Sequence, residues 1–345
     1  MRHAALVSTV VVLAATAVGC AGSGVDKAGG STPPKPTVLR LAVHDGDFAY
    51  GTFAAAVARL SGGSMRITVA DGWRPDDVDY ERGIVTDVRR GKVPLGIVGV
   101  RVWDTLGVTS FRALVAPFLI DSLELEARAL RSELASRALA SVARRGVVGL
   151  ALLPGLMRRP FGITRALVRS LDYRGATIGV RPGGVAAATF AALGAVARGN
   201  EPGDPSGLDG AELDLLTITS DAWDRPDRAL TGNVVLWPKP QTVVMNRAAF
   251  DRLTSRQRET LRRAGREALA PELRRDARDE RYERSLLCTT VSVVTATRAD
   301  TATLRRSVEP VYRVLERDPF TKAWIAQIRR MHARGLSDPD AVRCR

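Results

Sequence analysis

The sequence has few of the residues on which most enzyme chemistry depends. Its 345 residues include 3 histidines and 3 cysteines, and no spacing among them resembles a metal site. It also lacks a Gly-x-Ser-x-Gly elbow and a Walker phosphate loop. The remaining catalytic alternative is a hydrolase that uses scattered carboxylates. We therefore expect a protein that is not an enzyme and that holds no metal or cofactor.

Aromatic residues are also scarce, at 5%, although the formal net charge is +14. Proteins that bind single-stranded nucleic acid interleave basic residues with aromatic stacking platforms. Here the arginines are spread along the whole chain, and no basic run alternates with aromatics. The charge therefore predicts a general attraction for anions and no nucleic-acid partner.

Long apolar runs are absent except at the start, where Arg2 is followed by an apolar stretch over residues 4–18. This stretch is too short to remain as a membrane-spanning helix, and it is typical of a signal peptide over residues 1–19. The tetrapeptide at residues 17–20 resembles a bacterial lipobox, which implies that Cys20 is acylated. The alternative is an ordinary cleaved signal peptide that leaves a free cysteine.

Residues 20–37 are rich in glycine, serine, proline and lysine, and Val25 is their only large apolar residue. Such a segment cannot form a core, so we expect a flexible tether that holds the folded part on the order of 20 Å from the membrane. Two further cysteines, Cys288 and Cys344, lie near the C-terminus. Outside the cytoplasm they would form a disulfide, and two unpaired thiols are the alternative.

The first part of the folded chain alternates short apolar runs with amphipathic segments. The runs at residues 39–43, 65–69 and 95–100 predict strands, and helices are predicted from residue 51 to the glycines at 62–63 and over residues 79–90. Since the apolar runs alternate little with polar residues, both faces of the sheet are expected to be covered. The pattern predicts an α/β fold with parallel strands.

Three later segments carry predictions of their own. A helix is predicted over residues 122–144, and the strand at 147–153 follows it. Thr254 is expected to cap one helix, and Pro271 to begin a second, highly charged helix that ends near residue 287. The last part is expected to hold a strand at 289–296 and helices at 300–315 and 321–333.

The middle of the chain shows the most informative order of elements. Arg159 follows a strand, a polar loop leads to a short strand at residues 176–180, and Gly183-Gly184 opens an alanine-rich helix. Backbone N–H groups after such a turn could receive an anion, and a simple turn is the alternative.

This order resembles the solute receptors of tripartite ATP-independent periplasmic (TRAP) transporters. The resemblance runs through most of the chain and is carried by FAAAVARLSGGSMRITV (53–69), APFL (116–119), Arg159, Asp172 with Gly175 and Ile178, LGA (193–195), LDGAE (208–212), and Met245-Asn246 with Phe250, Leu253 and Gln257. It implies a two-lobed periplasmic-binding-protein-like fold with a cleft between the lobes and a long supporting helix. Lobe one would comprise residues 38–156 plus 239–282, and lobe two residues 157–238 plus 283–345.

The resemblance also implies a function. The protein would be an extracytoplasmic solute-binding lipoprotein on the outer face of the cytoplasmic membrane. It would capture a small organic anion, a carboxylate, and deliver it to the subunits of a TRAP-type membrane permease. The alternative is an orphan receptor fold that serves ligand sensing or cell-envelope interaction without transport.

Arginine is the side chain best suited to clamp a carboxylate, because its planar fork donates two parallel hydrogen bonds. At the position of the family's carboxylate-clamping arginine this chain has Gly179. Arg181 lies two residues on, so it either replaces that arginine or is a hinge-loop charge. Arg159 matches a family arginine on the ligand side; the alternative is a surface arginine beside Arg158.

Other candidate ligand residues follow from the expected cleft. His44 and Asp45 lie in the loop after the first strand, either facing the cleft or in solvent. Trp237 would wall the cleft or belong to the core, and Asn246 begins the family's N…F…L…Q pattern. Residues 196–207 are shorter than in the family, and their glycines and prolines exclude a full helix. The pocket is therefore expected to be reshaped.

Overall fold

A computed structural model describes residues 35–44, 50–75, 77–199, 204–221, 223–333 and 340–344. The predicted signal peptide, Cys20 and Asp45 lie outside the described residues. Residues 36–345 form one compact unit, and it contains two β-sheets with helices packed around them. The predicted α/β fold is confirmed, whereas a wholly parallel sheet is not, because both sheets also contain antiparallel strand pairs.

The first sheet has the strand order β2-β1-β3-β11-β4. Its first three strands are parallel, whereas β11 runs antiparallel to both β3 and β4. Helices α1 and α2 connect the parallel strands, which confirms the predicted β-α-β-α-β order. The bounds are β1 Thr37–Ala42, α1 Tyr50–Leu60, β2 Met65–Ala70, α2 Tyr80–Arg89, β3 Leu95–Gly99, β4 Val147–Leu153 and β11 Gln241–Asn246.

The second sheet has the order β12-β9-β5-β8-β6-β7, and β10 pairs with β5. It mixes parallel pairs, such as β6 with β8, and antiparallel pairs, such as β5 with β8. The chain crosses between the sheets after β4 and again before β11. The bounds are β5 Met157–Gly162, β6 Thr177–Val180, β7 Val196–Gly199, β8 Gly210–Leu213, β9 Ala229–Thr231, β10 Trp237–Pro238 and β12 Ser292–Val294.

The other helices pack against the two sheets and against one another. They are α3 Val102–Thr105, α4 Leu123–Leu130, α5 Glu133–Ser141, α6 Gly184–Ala192, α7 Leu215–Ser220, α8 Arg247–Asp251, α9 Ser255–Thr290, α10 Arg298–Ser307, α11 Glu309–Leu315 and α12 Pro319–Ala333. Turns of 3₁₀ helix occupy Thr109–Val115, Val142–Arg145 and Ser170–Tyr173. Among the described residues, none of the helices is both long and apolar enough to cross a bilayer.

Helix α9 is the longest element, with 36 residues. Thr254 caps its start, as predicted, by accepting a hydrogen bond from the backbone N–H of Gln257. The predicted break at Pro271 is wrong, because the helix continues through this residue. An interior proline normally costs about 3 kcal/mol. Packing of its buried face against α1, β4 and α7 holds the helix together.

Three other predicted boundaries are also wrong. The predicted helix over residues 122–144 is divided into α4 and α5, because the hydroxyl of Ser132 accepts a hydrogen bond from the N–H of Ala135 and starts a new helix. The predicted helix at 300–315 is likewise two helices, α10 and α11, with Pro310 in the first turn of the second. The strand predicted at 289–296 is only Ser292–Val294, because α9 extends to Thr290.

The C-terminal tail is fastened at several points. A disulfide joins Cys288, in the last turns of α9, to Cys344. The buried Val342 donates its N–H to the carbonyl of Gly232. The carboxylate of Asp340 accepts a hydrogen bond from the N–H of Leu123 at the start of α4. The tail therefore contacts the start of α4, the turn after β9 and the end of α9.

Candidate functional site

Three chain segments meet where the two sheets approach each other. One follows β3, another opens α6, and the third is the crossing that contains β10. They enclose a cavity of about 20 Å³, lined by Val100, Arg101, Asp104, Val115, residues 183–186, Glu212 and residues 237–240. This volume holds about one water molecule. The cleft between the sheets is therefore nearly closed by its own side chains.

Glu212 on β8 is the polar centre of this site, and only 1% of its surface is exposed. Its Oε1 accepts the backbone N–H of Arg181 at 3.2 Å, and its Oε2 accepts the indole N–H of Trp237 at 3.2 Å. Nη1 of Arg158 lies 3.2 Å from the same Oε2 and donates to the Glu212 carbonyl at 2.7 Å. A buried carboxylate is tolerated only with such partners.

Arg158 also serves a second carboxylate, since its Nη2 lies 3.4 Å from Oδ2 of Asp214. Burial alone would raise the pKa of Asp214, but the positive charges of Arg158 and Lys239 and two hydrogen bonds from Thr217 together outweigh it, so the pKa lies below its usual value. Arg158 thus holds two carboxylates, of which Glu212 lines the cavity.

The two sides of the cleft touch where Gly183 and Gly184 open α6. A Cβ at Gly184 would lie 2.5 Å from Oδ2 of Asp104, and one at Gly183 would lie 3.4 Å from Cβ of Arg101. Nε of Arg112 holds the Asp104 carboxylate from the other side at 2.6 Å. The glycine pair therefore permits a close approach, and it places a carboxylate at the positive end of α6.

Arg181 reaches from the end of β6 toward the first sheet's helices. Its guanidinium carbon lies 5.5 Å from the centre of the Tyr80 ring, on α2, and His44 also stacks on that ring at 3.6 Å. Nη1 of Arg181 is buried and makes no hydrogen bond to any described residue. A buried unpaired donor is costly, so this guanidinium is suited to receive an anion.

The structure corrects the expected role of Arg159. Its side chain is fully buried and points away from the cavity, toward α9, where it forms a two-pronged ion pair with Glu280. It also donates to the carbonyls of Met157 and Asp340. Neighbouring residues of a strand face opposite sides, and at this place Arg158 faces Glu212 while Arg159 faces the long helix.

The expected ligand role of Asn246 is also corrected. Its Oδ1 accepts the N–H of Ala249 and so caps α8, and its Nδ2 donates to the carbonyls of Val88 and Arg89. These bonds use its amide to join β11 to α2, away from the cavity lining. Trp237 both lines the cavity and packs edge-on against Phe190, so it is at once wall and core.

His44 is buried rather than solvated, and its ring lies beside Tyr80 with Nδ1 3.4 Å from the carbonyl of Trp73. Sequence reasoning missed Arg158, Asp104 and Tyr80. The signal for Arg158 was present in the adjacent arginines at 158 and 159, but the sequence did not fix which of them faces the cleft. Among the described residues, no group of three or more His, Cys, Asp or Glu side chains could hold a metal ion.

A two-lobed α/β fold with a polar cleft between its sheets defines the class of periplasmic binding proteins. The family model of DctP, described as bacterial extracellular solute-binding protein, family 7, matches residues 46–318. The chain therefore belongs to this family, and the predicted relationship to TRAP solute receptors is confirmed. No curated protein matches the chain.

Solved structures of several bacterial proteins share the fold. The sugar acid binding protein of Advenella mimigardefordensis, in complex with galactonate, superposes with a TM-score of 0.75 at 18% identity, over 86% of this chain and 99% of its own. A TRAP periplasmic solute-binding protein of Shewanella oneidensis, with bound succinate, superposes with a TM-score of 0.72 at 19% identity, over 84% of this chain and 99% of its own. A TRAP periplasmic solute-binding protein of Roseobacter denitrificans, with bound β-D-glucuronate, superposes with a TM-score of 0.72 at 19% identity, over 84% of this chain and 98% of its own.

Proposed function

We propose that this protein is an extracytoplasmic receptor that captures a small organic carboxylate in the cleft and passes it to a TRAP-type permease. The observation that carries the proposal is the buried Nη1 of Arg181, which has no hydrogen-bond partner among the described residues. Arg181 adjoins the cavity, because its backbone N–H donates to the carboxylate of Glu212, which lines the cavity. Galactonate and succinate in related structures support the same chemical class of ligand.

Ligand capture requires the cleft to open, because a cavity of about 20 Å³ is far smaller than a sugar acid. We propose that residues 38–156 plus 239–282 and residues 157–238 plus 283–345 are the two lobes that move. The crossing before β5 and the crossing after β10, together with α9, would form the hinge. A ligand that contacts both lobes favours the closed state by its additional contacts there.

In the open state the ligand carboxylate would take the place that Asp104 now holds at the start of α6. Two features favour an anion at this place. The helix presents its positive end, and Arg181 supplies a donor from the same segment. The side chain of Arg181 thus fills the role that the family's arginine would have at Gly179.

The proposal includes anchoring. Cleavage after residue 19 and acylation of Cys20 would leave the receptor attached to the outer face of the membrane through the tether at residues 20–37. Replacing Cys20 by alanine should release the protein into the medium, and its retention in the membrane would contradict lipidation.

A thermal-shift screen tests ligand binding directly. Galactonate, glucuronate and succinate are added to the chain, with matched uncharged alcohols as the ligand control. A ligand at about 100 times its Kd stabilises the folded state by about 2.7 kcal/mol. We expect Arg181→Gln to abolish the shift and Arg330→Gln, an exposed change on α12, to retain it. Equal shifts in both variants would refute the role of Arg181.

One observation favours the alternative of an orphan receptor without transport. Arg158 is already paired with the carboxylates of Glu212 and Asp214, and Gly179 stands where the family has its arginine. Uptake of the identified ligand by cells that express the chain with a candidate permease separates the two functions. Binding without uptake would favour sensing.

A further inference from the structure

Helix α9 sorts its charges by face. The acidic residues Glu272, Asp276, Glu280 and Glu283 are buried against the body of the protein. The opposite face is exposed and carries arginines along a helix roughly 54 Å long. We call this face the α9 basic face; it comprises Arg256, Arg262, Arg263, Arg266, Arg274, Arg278 and Arg281.

The acidic residues near this face neutralise it only in part. Glu259 pairs with Arg266, Glu267 pairs with Arg263, and Asp279 lies 3.5 Å from Arg278. No ion pair joins Arg274 or Arg281 to a carboxylate among the described residues. The second half of the helix therefore presents positive charge that the protein itself does not compensate.

This half of the helix also exposes apolar surface. Arg274, Arg278, Tyr282 and Leu286 are spaced four residues apart and therefore form one ridge. Tyr282 is 61% exposed and Leu286 is 38% exposed. Arginine binds phosphate through its planar fork, and tyrosine prefers the boundary between headgroups and acyl chains. A ridge of both kinds fits a lipid surface better than a dissolved polyanion.

The point where the tether joins the folded unit lies beside the same helix. Oγ1 of Thr37, at the start of β1, accepts a hydrogen bond of 2.9 Å from Nε2 of Gln257 in the first turn of α9. The tether that the sequence predicts over residues 20–37 would span on the order of 20 Å. A membrane at the far end of this tether is therefore within reach of α9.

From these observations we propose that the α9 basic face docks on anionic phospholipid headgroups. The helix then lies along the membrane, and the receptor is held in a defined orientation there. The proposed lipid anchor would only bring α9 near the membrane; the docking contact itself does not require it. It is therefore tested on a chain that carries no acyl group.

The experiment uses the chain from residue 20 with Cys20→Ser, mixed with vesicles of phosphatidylcholine alone or with phosphatidylglycerol, and measures co-sedimentation. The chain should bind only the anionic vesicles, and salt should weaken the binding. Arg274→Gln, Arg278→Gln and Arg281→Gln together should weaken it about 10- to 100-fold. The matched control removes the same charge from exposed sites outside α9, with Arg298→Gln, Arg317→Gln and Arg330→Gln.

The control triple variant should bind as the unaltered chain does, and both triple variants should keep the same melting temperature. Equal weakening by the two triples would mean that net charge alone acts, and would overturn the proposal. The pair Tyr282→Ser and Leu286→Ser should weaken vesicle binding and leave binding of soluble polyphosphate unchanged. Binding of polyphosphate without any binding of vesicles would also overturn it. Because no organic acid is involved, these outcomes are independent of ligand capture in the cleft.

Discussion

The guanidinium of Arg159 and the carboxylate of Glu280 form a two-pronged ion pair in the interior, with Nη1 3.2 Å from Oε1 and Nη2 3.1 Å from Oε2. The pair joins the strand that begins the second sheet to the long helix. Glu280 also accepts the N–H of Met157, and Arg159 donates to the carbonyl of Asp340. Strand, helix and C-terminal tail are thus tied at one point.

Removing one partner of this pair should be strongly destabilising. Arg159→Met leaves Glu280 buried without its cation, and a buried charge that loses its partner costs about 3–5 kcal/mol. Urea unfolding measures the loss. In the double variant Arg159→Met with Glu280→Leu the cost should be smaller, because no charge remains buried. A cost below about 1 kcal/mol for the single variant would contradict the assigned role.

Two other carboxyls of α9 make the stability depend on pH. Burial, only partly offset by Arg275, raises the pKa of Glu272 and of Asp276 to about 7. Because these values exceed those of the unfolded chain, the stability contribution is fully present below pH about 4 and is lost as the pH rises through about 7. The urea midpoint should therefore be higher at about pH 5 than at about pH 8.

The matched variants localise this pH effect. Glu272→Gln and Asp276→Asn remove the ionisation but keep the shape, so both should stabilise the protein at about pH 8 and have little effect at about pH 5. Glu259→Gln, on the exposed face of the same helix, is the control and should leave the pH profile unchanged. A midpoint that rises with pH in the unaltered chain would show that the sign is wrong.

The disulfide between Cys288 and Cys344 should contribute through the unfolded state. It closes a loop with a sequence separation of 56 residues, and such a link stabilises by about 2–4 kcal/mol. Cys288→Ser with Cys344→Ser should lower the unfolding free energy by this amount and free the tail. Hydrogen exchange at Val342, whose N–H is bonded to Gly232, would report the release. Unchanged protection there would show that other contacts hold the tail.

The sequence predicts the fold better than it predicts the site. Apolar periodicity identifies the parallel strands and their helices because burial follows local pattern. At Pro271 local chemistry predicts a break, but the packing of α9 against α1, β4 and α7 outweighs it. That packing comes from segments far away in the sequence, so a local rule cannot anticipate it.

The site depends on contacts of that long-range kind. Glu212 is central because Arg158, Arg181 and Trp237 converge on it, and no spacing in the sequence announces this. The choice between Arg158 and Arg159 depends on the phase of one short strand. A shift of one residue along a strand exchanges its two faces. The motif match therefore selected Arg159, which faces α9, and not Arg158, which faces Glu212.

The contact between Asp104 and the start of α6 should compete with the ligand. Asp104→Ala removes the carboxylate that lies at Gly184, so an organic anion found in the thermal-shift screen should bind more tightly, by about 1 kcal/mol on the scale of a charge at a helix end. Gly184→Ala, by contrast, places a methyl group against Asp104 and should favour the open cleft. Small-angle scattering would then show a larger radius of gyration, and the double variant should restore the closed value. Weaker ligand binding by Asp104→Ala would mean that Asp104 assists capture and does not compete with it.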